Sequence, residues 1–152
     1  MATVTQLAEL LRVALDALPE VDHSSTDSYF PPIKTASVAL VITPLWQRTR
    51  AITPTAGRGT VIFWHQIRCE FWAKLNPRDL DESIELVREI GLSAIRVLLT
   101  DPTLNNNSVR VGWYGQGSGQ SVEAETDDRP TEIGGVSYLI ITVTVPITDY
   151  GA

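Results

Sequence analysis

His65 and Cys69 are the one histidine–cysteine pair close together in the chain. On a strand, positions four apart share a face, so both side chains would point the same way. They would stand roughly 13 Å apart, whereas the ligands of a single zinc ion sit about 2.0–2.3 Å from it. They cannot share a metal from that strand, and the company of Ile67 and Phe71 predicts a packed histidine beside a core thiol. Glu123 and Glu125 set two carboxylates on one face of an extended segment, roughly 6–7 Å apart, a separation used by the carboxylate pairs of glycoside hydrolases. Asp127 and Asp128 continue the run without an aromatic sugar platform, which favours a solvated acidic loop over a hydrolase. Gly115-Gln116-Gly117-Ser118-Gly119 fails as a nucleophile elbow, a dinucleotide fingerprint and a P-loop, and reads as a connection. Arg48, Arg50 and Arg58 gather near Trp46 and Trp64. Basic plus aromatic is the composition of single-strand binders and equally of protein interfaces. Three such charges in an acidic chain favour the interface.

The balance of 12 basic against 18 acidic residues gives 12 − 18 = −6, which argues against tight phosphate-backbone binding. At 152 residues with 43% hydrophobic content the expectation is a single domain, 1–152, with a substantial core. No apolar run approaches the roughly 18 residues of a membrane span, and Glu9 and Arg12 interrupt the place of a signal-peptide core, so the chain is expected to stay in the cytoplasm. The single cysteine allows no internal disulfide, and Asn106-Asn107-Ser108 is a formal glycosylation sequon without meaning in that compartment.

The elements that must position these residues follow from period. Leu7, Leu10, Leu11, Ala14, Leu15 and Leu18 recur at three- and four-residue intervals, predicting an amphipathic helix over 4–18 with Thr3 and Gln6 as a capping box. Residues 21–32 have no period and read as a surface connection. SVALVIT (37–43) suits a strand buried on both faces, and alternation resumes over Trp46–Ile52. TPTAGRG (53–59) has the composition of a hairpin tip. Residues 60–74 alternate strictly, with His65, Ile67, Cys69, Phe71 and Ala73 on one face. Asn76-Pro77 predicts a helix start, its apolar face built from Leu80, Ile84, Val87, Gly91, Ala94, Ile95 and Leu98 and its end set by Asp101-Pro102. Val109, Val111 and Trp113 predict a short strand, residues 122–130 an acidic arm or loop, and Gly135–Ile147 a long strand entered through a Gly134-Gly135 turn. Strands grouped around one long helix predict α+β: a mixed, mainly antiparallel sheet, two helices on one face and a long projecting β-hairpin.

That order of residues resembles the tail terminator (tail completion) proteins of long-tailed bacteriophages, the lambda minor tail protein U-like group. The likeness runs over LAELLRVALDALP, SVALVIT, VIFWHQIRCEFWAKL, the helix end with Asp101-Pro102-Thr103-Leu104 before Val-Arg-Val, and the Gly-Gly-Val-x-Tyr entry to the last strand. It implies a structural virion protein of the tail, assembled in the host cytoplasm, with no catalytic residues and no cofactor. Such proteins form a homohexameric ring that caps the tail tube, ends its polymerisation and presents a docking surface to the head-to-tail connector or neck proteins. DNA passes through the ring without specific binding, and no membrane is involved. A head-closure or neck adaptor would share the build, and a nucleic-acid-binding accessory protein would use the three arginines. The interface candidates are Trp46, Arg48, Arg50, Arg58 and Trp64 on the hairpin, and Glu123, Glu125, Asp127 and Asp128 on the acidic arm.

Overall fold

Capping and period account for both helices in the computed structural model, which describes residues 3–26, 37–42, 47–52 (backbone alone at 47, 50 and 52), 62–106, 108–112, 121–127 and 129–150. Helix α1, Val4–Asp16, opens on the capping box: the Thr3 hydroxyl accepts from the Gln6 N–H while the Gln6 side chain accepts from the Thr3 N–H. Leu7, Ala8, Leu11 and Leu15 form its buried stripe. The helix stops two residues short of Leu18, which is buried nonetheless because its N–H turns back onto the Leu15 carbonyl.

Helix α2, Leu80–Thr100, starts later than Asn76-Pro77 predicts. Its cap is Asp79, whose carboxylate accepts from the Glu82 N–H at 3.0 Å, while the Asn76 side chain accepts from the Arg78 N–H in a turn before the helix. The buried stripe is also rotated: Ser83, Val87, Ile90, Gly91, Ala94 and Leu98 face inward, leaving the predicted core residues Leu80 and Ile84 53% and 41% exposed. Gly91 faces β6 and β8 on this stripe, where a Cβ would lie in ordinary contact, 3.5 Å from the Ala124 Cβ and 3.7 Å from the Ile141 Cγ2. Ser83 can be buried because its hydroxyl accepts from the Asn76 N–H and donates to the Asp79 carbonyl.

The eight strands are β1 (His23–Ser25), β2 (Val38–Val41), β3 (Gln47–Ile52), β4 (Ile62–Lys74), β5 (Val109–Val111), β6 (Glu123–Thr126), β7 (Thr131–Ile133) and β8 (Val136–Asp149). β4 and β8 form the spine, antiparallel and in unbroken register from Phe63↔Asp149 to Lys74↔Tyr138. Short strands tile the outer edge of each: β2 and β3 pair with β4, while β5, β6 and β7 pair with β8, all antiparallel. β1 pairs with β2 in parallel and makes the sheet mixed. A two-residue turn with positive φ at Gly134 (57°) and Gly135 (82°) joins β7 to β8, as a primed hairpin turn requires.

Two segments depart from expectation. His23–Ser25, within the predicted connection, is strand β1, and Glu123–Thr126, within the predicted acidic arm or loop, is strand β6. Neither has an apolar alternation of its own. Each is held by the backbone of a neighbour, β2 for one and β8 for the other.

Both helices cover one face of the sheet. Leu7, Leu11 and Leu15 of α1 and Val87, Ile90, Ala94 and Leu98 of α2 share one core with Val38 and Leu40, with Ile67, Cys69, Phe71 and Ala73, and with Ile141, Val143, Val145 and Ile147. β2, buried at all four positions between β1 and β4, fits the doubly covered strand that its composition predicts. The long hairpin has β3 and the first half of β4 as its stem, and β8 backs that stem along its other side. Its tip, 53–59, lies outside the described residues, as do Trp113 and the connection 115–120.

Candidate functional site

The face of the sheet opposite the helices carries the chemistry-bearing side chains, because every even position of β4 and β8 points to it. The registers give its rows. Arg68 pairs with Thr144, which pairs with Glu123; Glu70 pairs with Thr142, which pairs with Glu125; Trp72 pairs with Ile140. Arg48 pairs with Gln66, and Arg50 stands in register with Trp64. A residue beyond β6, the Asp127 N–H donates to the Ile140 carbonyl.

Part of this face is buried. Trp64, Tyr138, Ile140, Val41, Ala39 and Thr148 are all below 9% exposed, and the Trp72 and Tyr138 rings meet edge-on with centroids 5.6 Å apart. Glu70 is half-buried among them. Burial pushes its carboxyl above the usual carboxylate range, Asp127 adds to the shift, and the Arg68 guanidinium and the Trp72 indole partly offset it.

The predicted site residues separate into three groups. Arg48 on β3 and Glu123, Glu125 and Asp127 on or beside β6 are exposed. Trp64 is only 2% exposed, so it packs within the subunit and presents no anchor to a neighbour; its strand is flanked by β8 as well as β3, and a hairpin standing alone in water would lack β8. Trp46, Arg58 and Asp128 lie outside the described residues. Glu123 and Glu125 share a face as their spacing predicts. Among the described residues they sit on a strand paired on one side only, and neither lines the two grooves described below.

His65 and Cys69 both face the core, where burial pushes the Cys69 thiol well up and makes it a poor nucleophile. Among the described residues, no group of three or more His, Cys, Asp or Glu side chains could hold a metal ion. The His65 ring stacks on Phe63, its Nδ1 is 3.0 Å from the Thr49 hydroxyl and its Nε2 is 3.9 Å from an Asp149 carboxylate oxygen. Burial lowers the His65 pKa, against the opposing pull of Asp149. Thr, His and Asp in a row are the ingredients of an acid–base relay, but 3.9 Å exceeds hydrogen-bond reach. The Thr49–His65 contact ties β3 to β4. Asp149 as the partner of His65 was not visible in the chain order, since the β4–β8 register alone brings them together across 84 residues of sequence.

Two grooves lie on the helix side. The larger, about 780 Å³, runs between α1 (Gln6, Leu10, Val13) and the turn at Leu104–Ser108, where Leu104 and Asn105 both take left-handed backbone conformations (φ 53° and 56°). The smaller, about 420 Å³, lies between Lys74 and the first half of α2. In the first the Ser108 hydroxyl donates to the Asn106 side chain, and in the second the Ser83 hydroxyl is engaged by the Asn76 N–H and the Asp79 carbonyl. Among the described residues no helix is long and apolar enough to cross a membrane. No protein-family model matches the chain, and no curated protein matches it in sequence.

Proposed function

We propose that the chain is a structural ring-forming protein of the tail-terminator type, which closes the end of a phage tail tube and offers the opposite side of the ring to the neck. The observation that carries this reading is the distribution of charge on the sheet. Among the described residues β3, along the outer side of β4, is basic, and β6, along the outer side of β8, is acidic. Unlike patches on one subunit are what a head-to-tail contact needs, and head-to-tail contacts generate rings. Ten of the twelve basic residues are arginine, the side chain suited to bidentate pairing across interfaces. The fold agrees with the order of elements on which the resemblance rests.

The test is assembly with the tube. Purified chain imaged in negative stain should form closed rings, and when added to polymerising tail-tube protein it should sit at one tube end and stop elongation. Rings that leave tube growth unchanged but bind the portal-side connector would favour the head-closure adaptor. A chain that stays monomeric and leaves tube length unchanged would overturn the proposal.

A further inference from the structure

Resting on the ring reading, we infer that neighbouring copies pack through their helices: the outer flank of α2 in one copy seats in the groove between α1 and the Leu104–Ser108 turn of the next. Each helix carries more apolar surface than the subunit hides. Leu10 and Ala14 of α1 are only half-buried and Val13 is more than half exposed, and all three line the groove. On α2, Leu92 and Leu99 are more than half exposed as well. Seven positions apart, they lie one above the other on the helix, with Arg96 between them. Gly91 turns toward β6 and β8, and Leu86 turns toward Glu20 and Lys74 in the smaller groove. On a helix of 3.6 residues per turn, Leu92, Arg96 and Leu99 therefore lie past Gly91, on the flank away from α1.

The two surfaces are opposite in charge. Among the described residues, the charged side chains lining the groove are both acidic, Glu9 and Asp101. α2 ends beside Asp101 with no basic residue in its last turn to offset the negative pole of its dipole. From Ile90 to Thr100 the one charged residue is Arg96, and it is exposed. Arg12 already pairs with Glu9, so Asp101 is the acid that Arg96 would meet. Leu92 and Leu99 would cover Leu10, Val13 and Leu104, giving an apolar centre with charge at its rim. The far wall of the groove is set in advance: the Leu104 and Asn106 N–H groups donate to the Asp101 and Thr103 carbonyls, so little ordering is needed on contact. The same charges oppose two-fold contacts through one surface alone. Flank on flank sets Arg96 against Arg96, and groove on groove sets acid against acid.

Topology puts the two surfaces at one level. α2 follows the Lys74 end of β4 and leads to β5, which pairs with Ile147–Asp149 at the other end of the spine. Glu20, just beyond α1, lies beside Glu82 and Glu89, whereas Gln6 and Leu10 lie beside Asp101 and Leu104. α1 therefore runs antiparallel to α2, and the groove shares the β5 end with the second half of α2. A rotation about an axis roughly along the strands keeps every residue at its level, so it can carry the α2 flank of one copy to the groove of the next. Groove and flank are different surfaces, and repeating such a contact by rotation closes a ring.

The experiment uses full-length variants at these exposed positions. Val13→Glu puts a charge in the groove, and Leu92→Glu with Leu99→Glu puts charges on the flank. Each variant alone should keep the far-ultraviolet circular dichroism of the wild type and run as a monomer in native mass spectrometry, where the wild type forms rings. Mixed one to one, the two should form a heterodimer and nothing larger, because one sound joint remains, the flank of the Val13→Glu copy in the groove of the other. Arg96→Glu should raise the protein concentration needed for rings roughly threefold to tenfold, and adding Asp101→Arg to it should bring that concentration back down. If either apolar-site variant still forms rings of wild-type size, if the mixture gives no heterodimer, or if Arg96→Glu assembles like the wild type, the α2–groove joint is wrong while the ring reading stands. If the wild type forms only dimers, or no assembly at any protein concentration used, both fall together.

Discussion

Replacing Gly91 with alanine should stabilise the protein, although Gly91 is buried on the face of α2 that packs on β6 and β8. A Cβ at this position meets Ala124 at 3.5 Å and Ile141 at 3.7 Å, ordinary contact distances that demand no movement. Gly91 is not among the glycines with positive φ, so an L side chain fits the backbone. The gain has two parts. Alanine is favoured over glycine in a helix interior by ~0.8–1.0 kcal/mol, and the added methyl is buried, worth at most ~0.8 kcal/mol. With some loss to local adjustment, the net gain should be about 1 kcal/mol, or roughly 2–4 °C in Tm for a chain of this size. Urea titration at fixed protein concentration is the assay, because self-association would itself shift the midpoint, and an unchanged slope would show that the two states being compared are the same. Gly135→Ala is the control in the opposite sense: nothing lies within 4 Å of its Cβ, but φ is +82°, and a left-handed alanine should cost ~1–2 kcal/mol. A loss of more than about 0.5 kcal/mol in Gly91→Ala would refute the placement of α2 on β6 and β8.

Ile141→Ala empties a site between Phe71 and Thr126 that is 1% exposed and should cost ~2–5 kcal/mol in the same titration; a change within about 0.5 kcal/mol would remove Ile141 from the core. His65 holds a lowered pKa through burial, so as pH falls below the unfolded value of 6.5 the unfolded chain binds a proton that the folded chain resists. Stability should decline from that point until pH passes the lowered folded value, and His65→Gln should flatten this part of the profile; an identical profile in the variant would count against it. Glu70 is raised, so the folded chain keeps its proton to higher pH and stability is lost as pH rises from 4.5 through the folded pKa. Glu70→Gln, which holds no charge, should therefore be more stable than wild type at pH 7 and lose that advantage below about pH 4, and a variant no more stable at pH 7 would refute the sign.

Legibility in the chain followed the range of the forces involved. The stripe of α1, the capping box at Thr3, the alternation of β4 and β8 and the α+β class all stand in the residue order, because hydrophobic period and capping act within a few positions. Glu123 and Glu125 could be placed on a common face for the same reason. That they belong to a strand could not be read there: EAET has no apolar face, and its extended form comes from β8, whose other edge is taken by β4. The same holds for His23–Ser25 beside β2. Two helix details also needed the assembled fold. Asp79 and Asn76 are both good caps by type, and packing of α2 on the sheet turned Ser83 inward and left Leu80 and Ile84 at the surface.

The sequence by itself determined which stretches would be apolar on one side, what charges the chain carries and that its two glutamates and its arginines recur at a spacing of two. Only the tertiary structure decided that Trp64 is enclosed within the subunit, that His65 comes near Asp149, and that the basic and acidic pairs lie on opposite sides of the β4–β8 spine. The reason is that strand neighbours are chosen by backbone hydrogen bonds between segments far apart in the chain, and those bonds leave no local mark on the residues that make them.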